Sequence, residues 1–193
     1  ELLEKDRQYG ILVLRAYADP AGRDDEAITA AQLAVRLART NAETSVDRML
    51  AEPVHTRAVG VRAALGILAA TRRFGLATLT LQARLPRALP VSEPHLALLR
   101  DALDESLLLL ADALRHRTDA GPLPPLRDLQ IELRDAFSPS AAAEAAMLVS
   151  ETDLMVDSVK MIADLIHRAQ QHDADRAASA PRLAGARRRT GFS

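Results

Sequence analysis

Apolar and polar positions recur at helical spacing through most of the chain. Residues 1–18 place apolar side chains at Leu2, Leu3, Tyr9, Ile11, Leu12, Leu14 and Tyr17, which predicts a first helix. Asp19-Pro20-Ala21-Gly22 is a stop followed by a turn, and Asp24, Asp25 and Glu26 put three negative charges at the next helix start. A second helix over residues 24–52 carries Ile28, Val35, Ala42 and Met49 at heptad spacing. Ala31, Ala38 and Ser45 fill the seam between them, a stripe of small residues that lets a neighbour approach closely. Pro53 marks its end.

A third helix, residues 56–84, has Thr56 as its cap and Val61, Leu65, Leu68, Leu76 and Leu79 as its apolar stripe. Gly66 and Gly75 lie within it, each costing about 1 kcal/mol relative to alanine, and mark close packing or a kink. Pro86 and Pro90 bracket the next loop. Ser92 caps a fourth helix whose leucines 96, 99, 103, 107, 110 and 114 follow one another at steps of three or four. A short helix spans 125–136 after Pro124-Pro125. Ser138-Pro139 opens the last helix, 139–172, with Leu148, Thr152, Met155, Val159, Ile162 and Ile166 as its inward stripe. From Asp173 the periodicity stops, and residues 173–193 read as a disordered basic tail. The expected architecture is all-α: an antiparallel helical bundle of four long helices and two short ones, with residues 1–172 as one domain.

Composition agrees with this pattern. Aromatics are only 3% of the 193 residues, and the apolar share is mostly Ala and Leu, which favour helices over strands. The formal net charge of −1 argues against nucleic acid as a partner. It divides unevenly: residues 173–193 hold five Arg and two Asp, +3, leaving −4 for the remainder. The absence of Cys removes disulfides, thiolate metal ligands and cysteine nucleophiles. The longest apolar stretch, residues 59–83, is interrupted by Arg62, Arg72 and Arg73 and is not expected to span a bilayer. Opening on Glu1 rather than Met, the chain is expected to be part of a longer protein.

Candidate chemistry is sparse. His55, His95, His116, His167 and His172 contain no zinc-binding His-Glu-x-x-His arrangement and read as surface residues. The carboxylates of Asp24-Asp25-Glu26 and of Asp101, Asp104 and Glu105 fall at a helix start and on a polar helix face. There is no Gly-rich phosphate loop, no Gly-x-Ser-x-Gly elbow and no Glu-x-x-His pair for a di-iron site. Neither enzymatic activity nor a cofactor or metal is expected. Arg72-Arg73 reads as half of a structural ion pair, and Arg187-Arg188-Arg189 as a solvated tail that would meet anionic lipid if the domain lies beneath a membrane.

Three segments taken together carry a resemblance: TNAETSVDRMLAEP (40–53), LPPLRDLQ (123–130) and ETDLMVDSV (151–159). Their order and spacing resemble the C-terminal cytoplasmic region of the fusaric acid resistance-like (FUSC) family, which includes aromatic acid exporters of bacterial inner membranes. The resemblance covers residues 1–172, and the first segment is its most specific part. It implies a cytoplasmic structural or assembly domain of an inner-membrane exporter of small organic acids. Its partners would be the transmembrane part of the same polypeptide and further copies of itself. The resemblance assigns no transport residue to this stretch. Arg48 and Glu52 stand four apart and are placed to bridge locally. Asn41, Glu43, Arg127, Glu151 and Asp157 are expected to hold helices in register. Two other readings are a freestanding cytosolic adapter or regulatory bundle, and a sensor that meets an aromatic acid through Arg72, Arg73 or Arg127.

Overall fold

The stripes assemble into six helices, with no strand among the described residues. The computed structural model describes residues 1–51, 58–85, 94–137 and 143–186. The helices are α1 (Leu2–Ala18), α2 (Asp25–Ala51), α3 (Ala58–Ala83), α4 (Pro94–His116), α5 (Leu126–Ala136) and α6 (Ala143–Ala186). The expected caps Thr56, Ser92 and Ser138 lie outside the described residues. Asp24 caps α2: its carboxylate accepts the Ala27 amide at 2.8 Å, so one of the orphan donors of the first turn is satisfied.

Helix α1 lies among α2, α3 and α4, while α6 packs along α3 and also meets α4 and α5. The leucine ladder of α4 and the stripe of α6 turn inward as the spacing predicts. Leu96, Leu99, Leu103, Leu107 and Leu110 are buried opposite Leu148, Met155, Val159, Ile162 and Ile166 in one core. Only Leu114, at the end of the ladder, is exposed. Each buried leucine stabilises the fold by roughly 1.5–3 kcal/mol relative to an exposed one.

Helix α3 does not use the expected stripe. Leu65, Leu76 and Leu79 are 42, 50 and 41% exposed. The inner face is Ala70, Thr71, Phe74, Ala77, Thr78 and Leu81. Both faces of this helix are apolar enough to serve, so periodicity alone does not choose between them. The narrower face wins because α1 and α6 approach closely. The buried Thr71 and Thr78 hydroxyls are satisfied by carbonyls one turn back, Ile67 at 2.6 Å and Phe74 at 3.0 Å. By length and composition, residues 60–83 also meet the measure of a bilayer-crossing helix, although their inner face belongs to this core.

The glycines of α3 mark close packing. A Cβ at Gly66 would come within 2.8 Å of Leu165 Cδ1, the mobile tip of a half-buried side chain. Gly66→Ala is therefore expected to stabilise the chain by about 0.5–1 kcal/mol, because the tip turns aside and the helix gains propensity. Urea unfolding measures this, and a loss of stability would show that Leu165 is locked.

Helix α2 follows its heptad only halfway. Ile28, Val35 and Ala38 are buried, whereas Ala42 and Met49 are half-buried and Ser45 is exposed. The cause is length: α1 has 17 residues against 27 in α2, a difference of about 15 Å of helix. The other departure is at the end. Helix α6 continues to Ala186, so residues 173–186 are helical rather than the disordered tail expected from Asp173. Alanine dominates this stretch, and extending an existing helix avoids the cost of nucleation. The extension runs through Pro181, which has no amide hydrogen to offer the carbonyl one turn back. The arginines 187–189 lie outside the described residues.

Candidate functional site

The inner face of α1 runs Leu3, Asp6, Tyr9, Gly10 and Val13, so a carboxylate occupies a core position between apolar neighbours. Asp6 is 1% exposed. Arg39 of α2 reaches towards it, leaving its Nη2 3.8 Å from Asp6 Oδ1, too far for a hydrogen bond. Neither oxygen of Asp6 finds a hydrogen-bond partner among the described residues, nor do Nε and Nη2 of Arg39. Helix α3 contributes Gly75 to the same junction. A Cβ there would stand 2.5 Å from Arg39 Nη2 and 3.0 Å from Asp6 Oδ1. The glycine leaves room for both charged groups.

Burial pushes the Asp6 carboxyl up from 3.8 to about 7, and the Arg39 guanidinium only partly opposes this. Nearby, the Tyr9 hydroxyl donates to Gln82 Oε1 on α3. Burial and the negative charge of Asp6 push that phenol up to about 12. Tyr17 donates to the Leu81 carbonyl at 2.9 Å, and burial likewise pushes it up to about 12. Both tyrosines thus remain neutral donors that fasten α1 to α3.

A second polar constellation joins α5 to α6. Arg127 donates through Nη1 to Asp153 and through Nη2 to Asp157. The two carboxylates stand one turn apart on α6, a separation matched by the guanidinium fork. Gln130 Nε2 donates to the Val149 carbonyl at 3.0 Å in the same seam. On the other side of the bundle, Arg7 meets Asp104 at 2.5 Å and Arg115 meets Glu4 at 3.2 Å, joining α1 to α4.

The structure therefore brings Arg127 and Asp157 together and adds Asp153, which the sequence reading omitted. Glu151 is half-buried on a different side of α6, and burial raises its carboxyl above the usual range. Asn41, Glu43 and Arg48 are exposed on the far half of α2 and do not join either constellation. Glu52, and with it the expected Arg48–Glu52 bridge, lies outside the described residues, as does His55. The ion pair expected for Arg72 and Arg73 is absent: both are exposed on α3, with no carboxylate within 4.0 Å among the described residues. The outward turn of α3 places them there. Of the remaining histidines, His116, His167 and His172 are exposed and His95 is half-buried. Among the described residues, no group of three metal-ligating side chains converges.

No family model, curated protein or solved structure matches this chain. The geometry can hold helices together and can bind a proton at Asp6.

Proposed function

We propose that this chain is a structural and assembly domain on the cytoplasmic side of a bacterial inner-membrane exporter of small, often aromatic, organic acids, of the fusaric acid resistance-like kind. The observation that supports the reading best is the relation between two of the segments carrying the resemblance. Residues 123–130, which lead into and open α5, and residues 151–159 of α6 are the stretches that Arg127 clamps through Asp153 and Asp157. Arg127 and Asp157, of two of the resembling segments, thus serve register, as a scaffold requires. The sensor reading draws less support, since the Arg127 guanidinium is already occupied by two carboxylates and Arg72 and Arg73 face outward.

Arg127→Ala is expected to lower stability by about 1–2 kcal/mol, since each partly exposed pair contributes up to about 1 kcal/mol. Arg127→Lys should recover only part of this, because an ammonium cannot fork. Thermal unfolding measures both. In cells expressing a tagged full-length gene product, the protein should sediment with inner membrane and need detergent for release. Recovery in the soluble fraction would overturn the exporter reading in favour of a freestanding cytosolic adapter.

A further inference from the structure

Two helices carry outward stripes at heptad spacing that no described residue covers. On α3 the stripe is Arg62, Leu65, Ala69, Arg72, Leu76 and Leu79, all but Arg62 and Ala69 large side chains of the outward face already described, and all exposed. This helix has three arginines and no acidic residue. On α4 the stripe is Leu98, Asp101, Glu105, Leu108, Asp112 and Arg115, also exposed, with Leu98 and Leu108 52 and 51% open. Both follow steps of 3, 4, 3, 4 and 3 over the same number of residues, so they match in length at about 26 Å. One is basic and apolar, the other largely acidic and apolar.

We propose that these stripes are the two halves of a head-to-tail contact between copies of this chain, with α3 of one copy lying antiparallel on α4 of the next. In that orientation Leu79 faces Leu98, Arg72 faces Glu105 and Ala69 faces Leu108, while Leu76 and Leu65 fall on Asp101 and Asp112 and Arg62 comes beside Asp112. Arg73, flanking the stripe, comes beside Asp101. Arg115, which would meet Arg62, is already neutralised by Glu4 at 3.2 Å. Asp101 keeps its bridge to Arg100 at 2.7 Å while remaining mostly open. The parallel orientation instead sets Arg62 on Leu98 and Arg72 on Leu108, wasting both charges and both leucines. The opposite charges of Arg72 and Glu105 and the leucine pair Leu79–Leu98, which only the antiparallel register brings together, thus select one direction.

The contact joins different surfaces. Helices α3 and α4 do not touch, and both pack against α1 and α6, which stand between them. A two-fold dimer cannot bring both stripes into use at once, so the contact propagates into a ring or an open chain. This deepens the assembly reading and rests on it only in taking a second copy as the partner.

The chain has no cysteine, which permits a clean test. Leu79→Cys and Leu98→Cys variants, mixed under mild oxidation, should form a mixed disulfide that neither forms with itself. In sedimentation, the unaltered 193-residue chain should give a concentration-dependent series beyond the dimer, weakened by salt. Arg72→Glu should weaken association at least tenfold, and Arg72→Glu combined with Glu105→Arg should restore it. Added in small amounts, the Arg72→Glu chain should shorten assemblies of the unaltered one, since it offers only its α4 stripe. A monomer at every concentration, or association indifferent to Arg72→Glu, overturns the proposal. So does loss of binding to phosphatidylglycerol vesicles as the only effect of Arg72→Glu, which would assign the α3 stripe to lipid. Unchanged thermal unfolding of these surface variants shows that folding is intact. Cell fractionation can fail while this contact stands, and the contact can fail while the chain still sediments with membrane.

Discussion

Asp6→Asn should make the chain more stable at pH 8, by about 2 kcal/mol, and should abolish a pH dependence that the unaltered chain shows between about pH 4 and 7. The carboxyl of Asp6 is raised from 3.8 to about 7 in the folded state, so the folded chain holds this proton more tightly than the unfolded one. Its contribution is therefore most favourable below pH 3.8 and is lost as pH rises through about 7, after which it is level. Full relief from the buried charge would stabilise the chain by about 4 kcal/mol at most. Asparagine recovers less than that, because its amide is buried at a junction where polar atoms are poorly partnered. Arg39 loses its counter-charge in the variant but keeps a route to water, its side chain being 23% exposed. Burial outweighs the Arg39 attraction at Asp6, which is why removing the charge helps rather than harms. Urea unfolding across the pH range measures the difference between the two chains. It should change sign, the variant being the less stable chain at pH 4 because of its buried amide and the more stable one above pH 7, and a constant difference would show that the charge of Asp6 is not the cause. Gly75→Ala should move the midpoint of that dependence upward, since the new methyl meets Arg39 Nη2 first and drives the guanidinium away from Asp6.

Phe74→Ala should cost about 3–5 kcal/mol, the largest loss expected from any single truncation of the α3 core. The ring is 1% exposed and lies against the backbone of α1 at Gly10. A Cβ on Gly10 would come within 2.9 Å of ring atoms Cε1 and Cζ and within 3.4 Å of Met155 Cε. Unlike the Leu165 tip opposite Gly66, a buried ring wedged between helices cannot swing away. Gly10→Ala should therefore destabilise by about 1–2 kcal/mol despite the propensity gained by α1, since overpacking outweighs it. In the Phe74→Ala background the sign should reverse, because the methyl then enters the space the ring has left. Denaturant unfolding of the four chains closes the cycle. Additive losses would mean that Gly10 and Phe74 do not meet.

The polar interior was only partly legible. Arg127 and Asp157 stood out as polar residues of the segments that carry the resemblance. Asp153 escaped notice, although it precedes Asp157 by one turn and shares its face. Asp6 was missed altogether, yet it carried a signal: it falls three residues after Leu3 and three before Tyr9, on the apolar face of the first helix. The far half of α2 misled in the other direction. Its heptad continues through Met49, but no α1 residue lies alongside to bury it.

Six helices, the inward ladder of leucines on α4 and the inward stripe of α6 follow from spacing alone, because on those two helices only one apolar face is free of charged residues. Tertiary structure decided what spacing left degenerate. It chose the Ala-Thr-Phe face of α3 over its leucines, since only small side chains allow α1 and α6 to approach so closely. It also set Asp6 against Arg39 and Gly75, an encounter of three helices that no local pattern specifies, because the cost of the buried charge depends on neighbours distant in sequence.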